Sequence, residues 1–257
     1  MKLKQRIALI VGAGNGLGRA IALAFSNEGA FVCVADLNAA AAHETLMLCG
    51  GPDRGMALRM DASQPDEIQR EFAAVAQAYG RLDLMVNCAA LCLVDPVLEL
   101  SPERWGRVFD LNARGAFFCM QAAAKAMIPN KFGRIITIST PSAKMAFPLF
   151  ATYGASKAAV DSLTKSCAVA WAPNGITVNT IVPGRMTGGM VDVLEQDLAK
   201  ITSTPAGSLA ADRTKGLPMG RRVDPAEVAS AAVWLASDEA AYVTAERLNF
   251  TGGMELQ

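Results

Sequence analysis

The chain has 257 residues, of which 52% are hydrophobic and 19% are charged, and its formal net charge at pH 7 is zero. This composition indicates a globular protein with a large core and argues against a disordered chain. Because the charge is balanced and no block of basic residues occurs, we expect neither nucleic acid nor a membrane surface as the main partner.

Length, apolar runs and cysteines narrow the architecture further. A chain of this length fits one α/β domain, so we expect a single domain over 1–257. No apolar stretch reaches the ~20 residues that cross a bilayer, and the first apolar run continues into a glycine turn instead of a signal cleavage site. The six cysteines lie mostly in apolar segments and lack the spacing of a metal site. These features predict a cytoplasmic protein with reduced cysteines and no metal.

In chain order, short β-rich apolar runs alternate with longer stretches of helical periodicity. The predicted strands are 6–11, 31–35, 56–60, 82–86, 133–138, 176–181 and 246–250. The predicted helices lie near 17–28, 39–48, 64–79, 101–128, 151–171 and 224–236. This alternation predicts a mainly parallel seven-stranded sheet with helices on both faces.

The segment at about 186–220 differs from the rest of the chain. It is rich in Gly, Ser, Thr and Pro, is weakly periodic, and falls between a predicted strand and a predicted helix. Long insertions of this kind are often functional, which favours a substrate lid over a plain surface excursion.

A glycine-rich turn, V-G-A-G-N-G-L-G, follows the first predicted strand and opens the first predicted helix. Gly12, Gly16 and Gly18 fit the pattern G-x-x-x-G-x-G. Glycines at this point allow a tight turn and a close approach to a pyrophosphate at the helix N-terminus, although a turn that merely needs glycine remains the alternative.

Asp36 closes the second predicted strand, eighteen residues after Gly18. A carboxylate there can accept hydrogen bonds from the hydroxyls of an adenosine ribose. A 2′-phosphate would meet a like charge, at roughly 4 kcal/mol per unit pair at ~4 Å and an effective dielectric of about 20. Asp36 therefore favours NAD over NADP, while a role as the N-cap of the next helix is the alternative and is compatible with it.

Tyr153 and Lys157 stand four residues apart in Y-G-A-S-K, on one face of a predicted helix. Free tyrosine has a pKa of about 10, and a nearby ammonium in a desolvated site lowers it toward the range of a useful base. The same spacing also occurs on solvated helix faces, so the pair alone is weak evidence.

Further matches accompany these motifs: Asp61, N-C-A-A at 87–90, Asn112, Pro183-Gly184 and Thr251-Gly252-Gly253. With them, the chain closely resembles the short-chain dehydrogenase/reductase family from end to end. The resemblance implies a single-domain Rossmann-type, doubly wound fold. It also implies an NAD(H)-dependent oxidoreductase that interconverts a secondary alcohol, a polyol or a diol with the ketone, commonly as a homotetramer, or a homodimer, built on the helices at about 101–128 and 151–171.

The same resemblance implies roles for individual residues. Tyr153 is the general acid/base, Lys157 depresses its pKa and holds the nicotinamide ribose, and Asn112 supports a proton relay. The cofactor-binding positions that it implies are Gly12, Asn15, Gly16, Leu17, Gly18, Asp36, Asp61, Ala62, Asn87, Ala89, Tyr153, Lys157, Pro183, Gly184 and Thr187.

Three positions depart from the family pattern. Thr140 stands thirteen residues before Tyr153, where the family usually has serine, so we assign Thr140 to polarise the substrate oxygen, with Ser139 or Ser142 as alternatives. Cys88 and Ala90 replace the second and fourth residues of the usual N-N-A-G. The threonine after Pro183-Gly184 arrives one residue early, at Thr187.

Candidate substrate-binding residues are Leu91, Thr140, Ser142, Met145, Phe147, Met186 and Met190. This mostly apolar set suits a hydrophobic secondary alcohol or ketone. In contrast, the 186–220 segment and the C-terminal L-N-F-T-G-G-M-E-L-Q are similar to bacterial polyol, acetoin and sugar-alcohol dehydrogenases. Lys144 and Arg185 offer a third possibility, the binding of a carboxylate, and His43 is not expected to be catalytic.

Two other functions stay open. An NADPH-dependent ketoreductase of the 3-ketoacyl type is disfavoured by Asp36. An NAD-binding sensor or scaffold without turnover is disfavoured by the intact Tyr153 and Lys157.

Overall fold

The structure is a computed structural model that describes residues 1–188 and 190–255. Its sheet has seven strands, in the spatial order β3-β2-β1-β4-β5-β6-β7. The strands are β1 (Ile7–Val11), β2 (Phe31–Asp36), β3 (Gly55–Arg59), β4 (Leu84–Asn87), β5 (Gly133–Ile138), β6 (Ile176–Pro183) and β7 (Arg247–Phe250). Every neighbouring pair is parallel, so the predicted doubly wound sheet is confirmed.

Helices connect the strands and cover the sheet. They are α1 (Gly16–Asn27), α2 (Ala39–Leu48), α3 (Pro65–Tyr79), α4 (Pro102–Phe109), α5 (Ala116–Met127), α6 (Ala151–Trp171), α7 (Met190–Thr202), α8 (Ala206–Lys215) and α9 (Pro225–Ala236). A π-helical turn, Asp110–Gly115, joins α4 to α5, so the single helix predicted over 101–128 is continuous but irregular in its middle. Across the described part of the chain, no helix combines the length and the hydropathy needed to span a bilayer.

The core forms on both faces of the sheet because the strand side chains alternate between them. On one face Ala8 and Ile10 of β1 belong to a cluster with residues of α1, α2 and α9. On the other face Leu9 and Val11 pack with residues of α3, α5 and α6. Burial of both faces fixes the register of the strands and hence the edge at which their carboxyl ends meet.

The 186–220 segment contains two helices, α7 and α8, where the sequence predicted weak periodicity without a helix. Many of its Gly, Ser, Thr and Pro residues lie at 187–188, 202–208 and 216–220, at or near the ends of the helices. Inside α7, Met190, Leu194 and Leu198 recur at a spacing of four, and Leu198 is buried. The average composition of the segment concealed this short periodic stretch.

Candidate active site

A cleft is expected between the carboxyl ends of β1 and β4, which are neighbours in the sheet. The connection after β1 leads to β2 on one side, and the connection after β4 leads to β5 on the other side. The glycine turn after β1 meets the segment after β4 at this point. The Cys88 amide donates to the Val11 carbonyl at 2.8 Å. Gly12 has φ 75°, and a Cβ there would lie 2.6 Å from the Ala89 amide nitrogen. The turn therefore requires glycine both for its backbone conformation and for this close approach.

The N-terminus of α1 fits a phosphate group. The side chain of Asn15, the N-cap residue, makes no capping hydrogen bond. A Cβ built on Gly16 would have no heavy atom within 4 Å, whereas one on Gly18 would lie 2.1 Å from the Gly12 carbonyl oxygen. Open space thus lies in front of helix amides that need an acceptor, and Gly18 permits the helix to pack on the turn.

Asp36 lies at the carboxyl end of β2, beside the glycine turn. Its Oδ2 accepts a hydrogen bond from the Gly14 amide at 2.8 Å, and its Oδ1 accepts one from the Asn38 amide at 2.9 Å. The N-cap of α2 is Asn38, whose side chain accepts from two amides of the first turn. The alternative role of Asp36 as that N-cap was therefore wrong, and its carboxylate is held at the edge of the cleft by backbone donors.

The other predicted cofactor residues also follow strand ends. After β3, the Asp61 Oδ1 accepts from the Ser63 hydroxyl at 2.7 Å, and Ala62 is buried. After β4, Asn87 is buried, and its Oδ1 accepts from the Ala89 amide at 3.2 Å. These positions share the carboxyl edge of the sheet with the glycine turn.

Pro183 ends β6, and Gly184 follows it. The Gly184 amide donates to the Phe250 carbonyl at 3.1 Å, and a Cβ on Gly184 would lie 2.9 Å from the Thr251 carbonyl oxygen. Thr187 is exposed, and its amide donates to the Val223 carbonyl at 3.1 Å. Its predicted contact with the cofactor stays a prediction.

Tyr153 and Lys157 lie near the start of α6, and Thr140 lies just after β5. Tyr153 and Thr140 line the same cavity. The buried Lys157 donates from Nζ to the Ile138 carbonyl at 2.7 Å, and its Nζ lies 6.0 Å from the centroid of the Tyr153 ring. The ammonium is therefore fixed beneath the tyrosine by the end of β5.

Burial dominates the electrostatics of this pair. It raises the pKa of the Tyr153 phenol above its usual value, and the Thr140 side chain opposes that rise only in part. It also lowers the pKa of the Lys157 ammonium to about 8. The expected depression of the Tyr153 pKa is thus not produced by these protein groups alone, because burial disfavours the phenolate.

Three hydroxyl groups compete for the role of the family serine, and all three line the cavity. Thr140 Oγ1 accepts from the Ser142 amide at 3.3 Å, and the Thr140 side chain acts to lower the pKa of Tyr153. Ser142 Oγ lies 3.5 Å from Thr140 Oγ1. Ser139 Oγ is buried and has no hydrogen-bond partner among the described residues. The effect of Thr140 on the pKa of Tyr153 favours Thr140. The Ser139 hydroxyl, which lacks a partner among the described residues, is a second donor in the same cavity.

Asn112 is fully buried in the π-helical turn between α4 and α5, a kind of distortion that is frequent at functional sites. Its side chain bonds to the main chain of Leu91 and to the hydroxyl of Ser156 on α6. The predicted place in a proton relay stays a prediction. The side-chain contacts give Asn112 a structural role beside Tyr153.

Some of the predicted substrate residues line the cavity and others do not. Thr140, Ser142, Phe147, Met186 and Met190 line it, as does Arg185. Leu91 and Met145 are not among the residues that line it, and the main chain of Leu91 is held by Asn112. The Lys144 Nζ also lies elsewhere, 3.9 Å from Glu255 Oε1. His43 is exposed on α2, away from the cavity.

Several lining residues were not predicted from the sequence: Cys92, Phe150, Val191, Leu194, Arg213 and Met254. They come from five separate parts of the chain and match no motif. Within the described residues, no group of three His, Cys, Asp or Glu side chains is arranged to hold a metal ion.

Comparison with known proteins agrees with this geometry. The family model described as enoyl-(acyl carrier protein) reductase matches residues 12–255. Galactitol 2-dehydrogenase from Agrobacterium fabrum and sorbitol dehydrogenase from Cereibacter sphaeroides are each 35% identical over 254 residues, or 98% of this chain and 98% of either relative. A crystal structure of NAD+-bound xylitol dehydrogenase is similar with a TM-score of 0.94 at 27% identity, and the match covers 98% of this chain and 100% of that one. Since the matches extend over nearly its whole length, the chain belongs to the short-chain dehydrogenase/reductase family and is an oxidoreductase that acts on alcohols with a nicotinamide cofactor.

Proposed function

We propose that this protein is an NAD(H)-dependent dehydrogenase that interconverts a secondary alcohol, including the alcohol group of a polyol or diol, with the corresponding ketone. The observation that carries the proposal is the placement of Tyr153 and Thr140 in the wall of one cavity, with the Lys157 ammonium fixed on the same helix as Tyr153. This pair stands at the carboxyl edge of the sheet that also carries the glycine turn.

The residues of the cleft fit NAD. The open N-terminus of α1 would hold the pyrophosphate, and the Asp36 carboxylate would bind the adenosine ribose and repel a 2′-phosphate. Lys157 would bind the second ribose. When bound, the nicotinamide supplies the group that accepts or returns a hydride at the carbinol carbon. The NAD+-bound xylitol dehydrogenase, with its similar fold, supports the choice of cofactor.

The side chains of the cavity would manage the proton and the oxygen of the substrate. Thr140 donates a hydrogen bond to the substrate oxygen, while Tyr153 takes the hydroxyl proton in oxidation and returns it in reduction. Lys157, with its pKa of about 8, is mostly protonated at neutral pH, and its positive charge favours the phenolate. No metal ion takes part in this scheme.

The two helices of the 186–220 segment would cover the substrate, as the predicted lid requires. Both helices contribute to the wall of the cavity, which lies at the carboxyl edge of the sheet. The contributing residues are Met190, Val191 and Leu194 of α7 and Arg213 of α8. Their contribution supports a covering role, because removal of water from the site strengthens the interactions on which the proton transfer depends.

A homo-oligomer, a tetramer or a dimer, is part of the proposal. On α6, Val169 is 74% exposed, and on α4 the half-exposed Trp105 stacks on Phe109 with ring centroids 4.6 Å apart. Apolar side chains on these two helices support burial against a second copy. Light scattering after size exclusion would test this point, and a mass equal to that of one chain would contradict it.

The test of the proposed function follows nicotinamide absorbance while the purified protein and NAD+ are mixed with polyols, vicinal diols, hydroxy acids and apolar secondary alcohols. We expect turnover of at least one class, and its loss in Tyr153→Phe with NADH affinity retained. Phenylalanine keeps the ring but removes the proton-carrying group. Near-normal turnover in Tyr153→Phe would contradict the proposed acid/base. Turnover with NADPH alone would favour the ketoreductase, and tight NADH binding without any turnover would favour the sensor.

A further inference from the structure

Four charged side chains form a cluster beside the cavity, which we call the arginine cluster: Arg185, Glu195, Arg213 and Arg222. Arg222 holds the Glu195 carboxylate through both of its Nη groups. Arg213 Nη1 lies 3.6 Å from Glu195 Oε1, which is an ion pair at longer range. Among these four side chains, three guanidinium groups accompany one carboxylate, so the four together carry an excess of two positive charges.

Two members of the arginine cluster reach the cavity. Arg185 and Arg213 both line it, in company with Tyr153 and Thr140. Arg185 donates from Nη1 to the main-chain carbonyl of Arg213, so the loop after β6 is attached to α8 at this point. The pair therefore belongs to the wall of the same cavity that holds the phenol.

Arg213 Nη1 is buried and makes no hydrogen bond with any described residue, although it lies 3.6 Å from Glu195 Oε1. A buried charged donor of this kind is unfavourable unless an acceptor is supplied. The neighbouring arginines make the charged form of these side chains less favourable still. Burial, and then the charge of nearby guanidinium groups, lower the pKa values of both Arg185 and Arg213. A bound anion would relieve both effects.

The remainder of the wall gives few partners for the many hydroxyls of an unmodified polyol. Apart from the three hydroxyl residues near Tyr153, it consists mainly of apolar side chains such as Phe147, Phe150, Met186 and Leu194. Lys144, which the sequence offered together with Arg185 for binding a carboxylate, is paired with Glu255 and does not line the cavity. The cationic side chains that line it are Arg185 and Arg213.

Resting on the proposed dehydrogenase function, we propose that the substrate is a secondary alcohol that carries an oxyanion group, a carboxylate or a phosphate ester, and that Arg213 and Arg185 bind this group. Guanidinium groups suit both oxyanions, because their planar donors match two acceptor oxygens at once. The alcohol carbon is then oriented toward Tyr153 while the anion is held by α8 and the loop after β6.

The test compares matched pairs of substrates that differ in the anion. The carboxylate arm sets 3-hydroxybutyrate against its methyl ester, and the phosphate arm sets sorbitol 6-phosphate against sorbitol. For each pair the ratio of kcat/KM is measured with NAD+ in the unmodified protein, in Arg213→Gln and in Lys215→Gln. Lys215 is exposed on the same helix and is paired with Asp212, so its variant controls for the loss of one positive charge.

We expect the anionic member of at least one pair to be favoured by tenfold or more. Arg213→Gln should reduce that ratio at least tenfold, since a hydrogen bond to a charged group is lost, and Lys215→Gln should leave it within twofold. The arm that shows the preference identifies the oxyanion. A ratio near one in both arms, or an equal fall in the two variants, would overturn the inference.

A binding measurement separates this inference from the proposed function. Calorimetry with inorganic phosphate and with acetate, on the full chain loaded with NADH, reports the anion site without turnover. If an anion binds, its binding is lost in Arg213→Gln and no alcohol is turned over, the dehydrogenase is refuted and the anion site is kept. Turnover of neutral alcohols without anion binding or preference would keep the dehydrogenase and refute the anion site. If Arg213→Gln does not fold, Arg185→Gln replaces it with the same expectations.

Discussion

The side chain of Asn112 forms a reciprocal pair of hydrogen bonds with the main chain of Leu91. Asn112 Oδ1 accepts from the Leu91 amide at 2.8 Å, and Nδ2 donates to the Leu91 carbonyl at 2.9 Å. Nδ2 also donates to Ser156 Oγ at 3.0 Å, and that hydroxyl donates to the Tyr153 carbonyl at 2.8 Å. Asn112 therefore connects the segment after β4 to the first turn of the helix that carries Tyr153, which makes it a positioning residue.

Replacement of Asn112 by alanine should destabilise the protein and slow turnover. The two main-chain groups of Leu91 and the Ser156 hydroxyl would lose their partner, so we expect the free energy of unfolding to fall by about 2–4 kcal/mol. Urea denaturation measures this change. As a control, Asn27→Ala alters an exposed asparagine at the end of α1 and should change the free energy by less than about 0.5 kcal/mol. Equal effects of the two variants would rule out the proposed connection.

The hydroxyl of Thr140 should matter for catalysis, and its methyl group should not. Thr140→Val keeps the shape and removes the donor, so kcat/KM should fall about 100-fold, as for the loss of one oxyanion donor. Thr140→Ser should stay within fivefold. Steady-state kinetics on the best substrate measures both variants.

The same experiment decides between the three hydroxyl residues. Ser139→Ala and Ser142→Ala are the matched variants, and each should reduce kcat/KM by less than tenfold. A larger loss in Ser139→Ala than in Thr140→Val would assign the substrate contact to Ser139, whose Oγ is buried without a partner among the described residues.

The sequence predicted the fold and the cleft because both depend on local patterns. Buried strands that alternate with helices specify a parallel sheet, and the Gly12 turn is required by a single close approach to Ala89. The wall of the cavity was predicted only in part. Arg213 reaches it through the packing of α8 against the loop at Arg185, which is a tertiary relationship that no spacing in the sequence reveals.

The pKa values of Tyr153 and Lys157 also could not be predicted from the sequence. A spacing of four predicts two neighbouring side chains on one helix face. In the structure the Lys157 ammonium is directed to the Ile138 carbonyl, and burial decides the pKa of both Tyr153 and Lys157. Desolvation depends on the whole surrounding fold, so helical spacing cannot give its size.

Asp36 should control the choice between NAD and NADP. Its carboxylate is held at the end of β2 by the amides of Gly14 and Asn38, where a 2′-phosphate would meet a like charge. We expect kcat/KM to be at least 100-fold higher with NAD+ than with NADP+, and Asp36→Asn should reduce this ratio at least tenfold. The ratio of the two kcat/KM values is the proper measure, because general damage to the cleft lowers the values for both cofactors.

Asp53→Ala serves as the matched control for that ratio. Asp53 is exposed in the short helix before β3, and its loss removes one negative charge outside the cleft. The ratio should remain within twofold in this variant. Comparable turnover of the unmodified protein with both cofactors would contradict the assignment of Asp36.

The buried ammonium of Lys157 should make stability depend on pH in the alkaline range. Its pKa in the folded protein is about 8, whereas an unfolded lysine has a pKa of about 10.4. Between these values the unfolded chain binds more protons than the folded one, so the contribution of Lys157 to the free energy of unfolding rises with pH. The raised pKa of Tyr153 has the opposite effect, but only above about pH 10, where an unfolded tyrosine ionises.

The measurement is the difference in free energy of unfolding between the unmodified protein and Lys157→Met, by urea denaturation from pH 7 to pH 10. The difference should be flat below pH 8 and then shift in favour of the unmodified protein by about 2 kcal/mol by pH 10. Ser156→Ala, a neutral replacement at the adjacent buried position, should give a difference that does not vary with pH. Parallel stability curves for the unmodified protein and Lys157→Met would show that burial does not disfavour the ammonium, and the electrostatic account of the pair would fail.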